Sequence, residues 1–282
     1  MPLNVGVVGL GSPVRRHAQT LQAIPEARVV AVADLDATRV AVHGGQYGAR
    51  GYGDWSAMLA GKPALDAVIL ATPAHVRLAP IEAISARKIA LFCVKPPALD
   101  LAAARAAARA FARSGIINSV GVQFRWSPTA GRLRDLIAAR PRLFARLVVA
   151  WPVFEWAKNG RASPMLWREA DCGGPLVEQG IHYQDVLRYV TGDEPLAVQA
   201  MTELGRTISD AARDCEDTTA LLVRHASGML STHIHNWSHR GRVMELQVVG
   251  EDFELTWRMA QGEVLTGTVE GAAVEERHAA DP

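Results

Sequence analysis

Four nearly continuous apolar runs punctuate the first third of the chain: VGVV, RVVAVAD, LDAVILATP and IALFCVKPP. Unbroken Val, Ile and Leu without alternation is the pattern of strands buried on both faces of a parallel sheet. Segments of helical length lie between them, SPVRRHAQTLQ, DATRVAVHGGQYG and HVRLAPIEAISARK, followed by an Ala- and Arg-rich stretch from Leu99 to Ser114 with strong helix propensity. YGDWSAMLAG reads as a turn and a short helix, and INSVGVQFRWSP as a further strand leaving the first domain. Strand and helix alternate throughout, which predicts a doubly wound parallel sheet with right-handed crossovers.

Beyond Arg125 the periodicity changes. A helix, PTAGRLRDLIAAR, leads into RLFARLVVAWPVF, which alternates like a half-exposed strand. The polar stretch EWAKNGRASPMLWREADCGG precedes a second helix, PLVEQGIHYQDVLRYVTG, and the remainder is mostly strands of alternating polarity with turns at Ser227-Gly228 and Gly250-Glu251. Strands of this kind form a sheet with one face on its own domain and one face left over, which oligomerisation would bury. The expected fold is therefore α/β in two parts: an N-terminal doubly wound parallel sheet over residues 1–120, and a C-terminal α/β domain with an open, mainly antiparallel sheet over residues 121–282, the latter carrying substrate and the contacts of a homodimer or homotetramer.

Composition sharpens this only slightly. The 282 residues are 49% hydrophobic and 21% charged, enough for sizeable packed cores, and a net charge of +1 with basic residues spread along the chain argues against a nucleic-acid surface. No run approaches the roughly 18 apolar residues of a membrane span, and the opening lacks the pattern of a signal peptide. Three cysteines, Cys93, Cys172 and Cys215, without a Cys-x-x-Cys pair, fit a reducing compartment. A cytoplasmic protein acting on a small molecule is expected.

Three places carry candidate chemistry. The first is the opening β-α-β unit, where Gly9 permits a tight turn, Gly11 lets backbone N–H groups approach a pyrophosphate, and the helix that begins at Ser12, Pro13 and Val14 points its positive end at that anion. Val14 stands where the pattern places a third small residue. Asp34 ends the second strand about 20 residues later, where a carboxylate accepts the adenine-side ribose hydroxyls and repels a 2′-phosphate, so NAD is expected rather than NADP. The second is Lys95 at the end of an apolar strand, suited to holding a substrate oxygen. The third is Glu178 and His182, four apart on one helix face with Asp185 nearby, an acid and base pair for a substrate hydroxyl. Gly180, between them, is costly inside a helix and implies that something packs closely there. His233 and His235 share one side of a strand and either line a pocket, bind metal or face solvent; no full metal-ligand set is marked by spacing.

These segments together resemble the glucose-fructose oxidoreductase and inositol dehydrogenase family, Gfo/Idh/MocA, over almost the whole chain. GLGSPVRRH is similar to its Gly-x-Gly opening with trailing His17, VVAVAD to its ribose-binding strand, and VILATP to the strand end that places Ala71, Thr72 and Pro73 beside the dinucleotide. CVKPP resembles its Glu-Lys-Pro, with Val94 in place of the glutamate, and WREADCGGPLVEQGIHYQD resembles its Trp-Arg, Gly-Gly and acid-x-x-x-His segment. The histidine expected after Thr-Pro stands two places early as His75, with Arg77 at the usual position, and the chain is short for the family.

The resemblance implies a Rossmann domain, NAD as cofactor, Lys95 and His182 as the active-site lysine and histidine with Glu178 tuning them, and a sugar, inositol or related polyol as substrate. Arg125, Trp151, Trp156, Trp167 and Arg168 are then candidates to contact it, with His182 and Asp185. Two alternatives remain open at this point: a dinucleotide- or metabolite-binding protein without turnover, and a reductase of an imine or enone in which His182 acts as an acid.

Overall fold

The computed structural model describes residues 1–161, 163–204, 214–260 and 262–278, apart from the side chains of Ser12, Pro13, Arg15, Ala18 and Pro164. The chain divides into two compact units, Met1–Gly121 and Val122–Pro282.

In the first unit the apolar runs become strands β1 (Leu3–Val8), β2 (Ala27–Ala33), β4 (Ala67–Leu70) and β5 (Ala90–Cys93), with β3 (Arg50–Tyr52) and β6 (Asn118–Val120) at the edges. The helices are α1 (Ser12–Gln22), α2 (Ala37–Tyr47), α3 (Trp55–Ala60), α4 (Leu78–Ala86) and α5 (Leu101–Ser114). All pairings are parallel and the order is β3-β2-β1-β4-β5-β6. Asp36, Asp54 and Asp100 cap α2, α3 and α5 by accepting backbone N–H groups of the first turn, which fixes where each helix starts. Between β1 and β4 the direction of winding reverses, and an open α/β sheet presents its ligand crevice outside the carboxyl ends of its strands at that point.

Two expectations need correction here. The turn expected from Tyr52 is preceded by an unanticipated strand, Arg50–Tyr52; three residues, one a glycine, are too few to show a period. The segment INSVGVQFRWSP is extended only over Asn118–Val120 and then coils into a 3-10 turn, Gln123–Trp126.

The second unit is an eight-stranded sheet in the order β14-β13-β12-β11-β7-β10-β9-β8, from β7 (Arg142–Ala150), β8 (Pro195–Glu203), β9 (Thr218–His225), β10 (Leu230–Asn236), β11 (Val243–Gly250), β12 (Phe253–Arg258), β13 (Glu263–Val269) and β14 (Ala272–His278). Among the strand pairs of the described residues only β7–β10 is parallel. Helices α6 (Pro128–Ile137) and α9 (Ile181–Thr191) cover one face. Their Leu133, Ile137, Val186 and Leu187 pack against Leu147, Val149, Leu246 and Trp257 in a continuous core. The opposite face keeps Phe144, Leu222, Leu230 and Ile234 between 41% and 45% exposed.

The stretch WPVF does not continue β7: Val153–Lys158 forms a short helix, α7, because Pro152 has no N–H for a ladder but suits a helix start. Glu169–Cys172 forms the single-turn α8 within the segment read as a polar stretch. The helix expected over PLVEQGIHYQDVLRYVTG opens as a π turn, Leu176–Gly180, before α9. No helix among the described residues is long and apolar enough to cross a membrane.

Candidate active site

At the switch point of the parallel sheet, Gly9 has φ +83° and a Cβ there would lie 2.6 Å from the Thr72 nitrogen. Only glycine allows the ends of β1 and β4 to approach so closely. Gly11 is the N-cap of α1 and no side chain caps that end, so the positive end of the helix is left to an anion, although Pro13 has no N–H and the Val14 N–H donates to the Gly11 carbonyl at 3.1 Å. Val14 is fully buried with Val5, Val7, Leu10 and Val32, so its isopropyl group fills the helix–sheet layer where the pattern has a small residue. Ser12 and Pro13 open the helix, but their side chains lie outside the described residues.

Asp34 connects the two strand ends. Its Oδ2 accepts the Leu10 N–H at 2.6 Å and its Oδ1 accepts the Asp36 N–H at 2.9 Å. A carboxylate has about four acceptor positions, so these two bonds orient Asp34 and leave lone pairs for two further hydroxyl donors. Arg39 approaches Oδ2 at 3.9 Å but is half-exposed and also pairs with Asp36. The residues fit a dinucleotide with a free ribose diol.

On the other side of the switch point, Ala71 is buried, Pro73 exposed, and His75 exposed in the 3-10 turn Ala74–Val76. Arg77, unremarkable in sequence except as a departure, is 4% exposed. Its Nε donates to the Thr72 carbonyl at 2.7 Å, and its Nη1 donates to the carbonyls of Val94 and Pro96. The guanidinium thus bridges the loop after β4 and the backbone on both sides of Lys95, which is half-buried. Burial pushes the neighbouring Cys93 thiol up to about 11, with the Arg77 charge pulling the other way. His17 lies edge-on to Phe92 at 5.1 Å, and burial lowers its pKa, helped by Arg16.

In the second unit, Gly173 and Gly174 both adopt φ +76°, and a Cβ on Gly174 would meet both Glu216 carboxyl oxygens at 2.7 Å. This tight bend leads into the π turn carrying half-buried Glu178 and then into His182, which is 6% exposed beside the Phe124 ring at 5.3 Å. What packs against Gly180 is Leu176 and the His235 ring, 2.7 and 3.5 Å from an added Cβ.

Arg125 and Asp185 are brought together: the guanidinium Nε donates to Oδ2 at 2.8 Å and Nη2 completes a two-point contact with Oδ1. The pair ties the 3-10 turn Gln123–Trp126 to α9, and its hydrogen bond raises the arginine pKa further. Trp167 is half-buried, while Arg168 is exposed, 3.7 Å from Asp171. Trp151 and Trp156 meet edge to face at 5.4 Å, and the Arg242 guanidinium lies over both rings at 4.5 and 4.9 Å. No periodicity marks Arg242 in the sequence. Cys172 and Cys215, distant in sequence, have Sγ atoms 3.5 Å apart in a buried cluster with Trp237. Their mutual hydrogen bond and burial push the Cys215 pKa up.

His233 and His235 are 1% and 0% exposed, so neither faces solvent. Among the described residues no group of three His, Cys, Asp or Glu side chains is arranged to hold a metal. The rings bond instead to each other and to Gln184 and Gln179.

Comparison with known proteins identifies the family of both units. Residues 3–122 match the family model described as oxidoreductase family, NAD-binding Rossmann fold, and residues 145–256 match the GFO/IDH/MocA C-terminal domain. The chain is 33% identical over 233 residues to D-apiose dehydrogenase of Paraburkholderia graminis, covering 80% of this chain and 58% of that protein's length. It is 27% identical over 230 residues to inositol 2-dehydrogenase of Rhizobium meliloti, covering 81% and 67%. Among solved structures, GenD2 from gentamicin A biosynthesis in complex with NAD is similar with a TM-score of 0.82 and 26% identity, over 93% of this chain and 73% of that one.

Proposed function

The chain belongs to the Gfo/Idh/MocA family of oxidoreductases, its first unit being the family's NAD-binding Rossmann domain, and on that premise we propose that it is an NAD-dependent dehydrogenase acting on a hydroxyl carbon of a sugar, inositol or related polyol. The observation that carries the reading is the convergence of the Gly9 turn, the uncapped start of α1 and the Asp34 carboxylate at the switch point of the parallel sheet. Backbone N–H groups after Gly11 would hold the pyrophosphate, Asp34 the ribose diol, and the Ala71–Thr72–Pro73 backbone the nicotinamide half. When bound, NAD supplies the hydride acceptor.

The chain's own residues supply the proton chemistry. His182 takes the substrate hydroxyl proton onto an imidazole nitrogen, the Lys95 ammonium donates to the same oxygen and stabilises the charge that develops there, and Glu178 orients the pair. Arg125 and Asp185, already engaged with each other, serve this reading as a brace on α9 rather than as direct substrate contacts. In this reading Trp167 and Arg168 recognise the substrate's hydroxyls. The Val94 departure, which weighed toward a binding protein without turnover, is offset by Arg77, which organises the Lys95 loop through backbone carbonyls.

The relatives named as D-apiose dehydrogenase and inositol 2-dehydrogenase support the substrate class. The apolar sheet face bearing Leu222, Leu230 and Ile234 supports assembly into a dimer or tetramer. The test is binding of NADH and NADPH by wild type, Asp34→Ala and His182→Ala, followed by a polyol and sugar oxidation screen. Tighter NADH than NADPH binding, loss of that preference in Asp34→Ala, and lost turnover with intact NADH affinity in His182→Ala are expected. Normal turnover by His182→Ala overturns the acid-base assignment.

A further inference from the structure

The two buried histidines of β10 belong to a hydrogen-bonded chain whose protons have a single consistent arrangement. The Trp237 indole N–H can only donate, and it lies 2.7 Å from Gln179 Oε1, so that amide atom is an acceptor. His235 Nε2 lies 3.0 Å from the same oxygen and must therefore carry a proton. A neutral ring protonated at Nε2 accepts at Nδ1, and His235 Nδ1 is 3.2 Å from His233 Nε2, which accordingly carries the proton of that bond. His233 Nδ1 then accepts from the Gln184 amide nitrogen at 2.7 Å. Both rings are the Nε2–H tautomer, and every donor along the line has one acceptor.

Burial keeps both rings neutral: desolvation lowers the His233 pKa to about 4 and, with the His233 ring beside it, that of His235 well below its ordinary value. Tyr183 packs edge-on to both, at 6.2 and 5.9 Å. The ends of the chain bracket the proposed catalytic pair. Gln179 follows Glu178 within the π turn, and Gln184 lies two residues beyond His182 on α9. A π turn is a less favourable conformation than the α-helix it interrupts, and it persists where something holds it. Here Gly180 lets the turn's backbone lie against the His235 ring.

Resting on the hydride-transfer reading above, we infer that His233 and His235 are positioning residues: strand β10 grips the π turn at Gln179 and the helix at Gln184, and so fixes where Glu178 and His182 point. The histidines touch neither substrate nor cofactor in this role. An apolar strand would leave the turn free to relax into continuous α-helix, rotating Glu178 away from its place relative to His182.

The test compares wild type with His235→Phe, which keeps ring volume and removes both bonds, and with Gln184→Met, which unpairs only the half-buried end of the chain. In the folded variants kcat falls about 10- to 100-fold, as displacement of catalytic groups by about an ångström does. NADH affinity and substrate KM stay near wild type, and His235→Gln, whose amide N–H can still reach Gln179, recovers part of kcat. A second readout needs no turnover: in protein labelled at histidine, NMR reports the tautomers of His233 and His235 and the titration midpoint of His182. Nε2–H tautomers in wild type and a displaced His182 midpoint in Gln184→Met support the inference. Nδ1–H tautomers in wild type, or an unmoved kcat and His182 midpoint in folded variants, overturn it. If wild type oxidises no polyol, the functional reading fails and the His182 midpoint alone decides the positioning role.

Discussion

The guanidinium of Arg77 donates to the carbonyl oxygen of Val94, the residue that stands in place of the glutamate of the Glu-Lys-Pro pattern. A cation reaching the backbone from α4's start therefore organises the loop that a carboxylate in the loop itself would otherwise organise. Replacing Arg77 by Met removes the charged donor to the carbonyls of Thr72, Val94 and Pro96. Each lost bond to a charged donor in a buried site costs about 1.5–3 kcal/mol, so a destabilisation on the order of 3 kcal/mol or more is expected. Arg77→Lys should recover little of it, since a single ammonium nitrogen cannot stand at both the Nε and the Nη1 positions from which Arg77 reaches Thr72 and the Val94 and Pro96 carbonyls. Urea unfolding of the two variants measures this, and a wild-type midpoint for Arg77→Met would show that the brace is dispensable.

Gly174→Ala should destabilise by more than Gly115→Ala. Both positions have positive φ, +76° and +63°, which costs a residue with a Cβ about 1–2 kcal/mol. At Gly115 an added Cβ meets nothing within 4 Å, whereas at Gly174 it meets the Glu216 carboxylate. The difference between the two thermal shifts isolates that contact; equal shifts would mean that Glu216 moves aside freely.

Stability should fall on acidification below about pH 6.5. His233 and His235 have folded pKa values depressed by burial, so the unfolded chain takes up protons that the folded chain refuses. Their contribution is complete above the unfolded value and is lost as pH drops from about 6.5 toward about 4, where His233 titrates in the fold. Each such histidine contributes a slope of about 1.4 kcal/mol per pH unit in that window. Urea titrations of wild type at pH 7 and pH 5, repeated on His235→Phe, test the assignment: the variant should show the shallower dependence.

Ile234→Glu places a charge in the middle of the exposed sheet face, beside Ala220 across the β9–β10 ladder and Val148 across the β7–β10 ladder. Sedimentation velocity should show wild type as a dimer or tetramer and the variant as a smaller species, with its far-UV spectrum unchanged. Equal sedimentation coefficients would remove this face as the contact surface.

Much of the architecture was legible because it rests on local rules. Unbroken Val, Ile and Leu runs distinguish a sheet buried on both sides from the alternating strands of a sheet buried on one, and the spacing from Gly9 to Asp34 identifies the β-α-β unit without any knowledge of distant residues. Segments without a period escaped: β3 has only three residues, and β14, AAVEERH, is too charged to announce itself. The sequence also marked Glu178 and His182, since spacing along one element is enough to place residues near one another, and Lys95 by its position at the end of an apolar strand.

What surrounds those residues was decided by tertiary structure alone. Arg77 looked like a departure from a pattern until folding brought Val94 and Pro96, 17 and 19 residues away, to its guanidinium. His233 and His235 read more readily as a solvent-facing pair than as a pocket lining or a metal site, and both are buried. Their neutral, directed hydrogen bonds exist only because β10 is buried beneath the turn that holds Gln179, 56 residues from His235 in the chain. Periodicity specifies which face of a strand is inside; it carries no information about which polar groups from elsewhere arrive there, and a buried donor or acceptor takes its role from those partners.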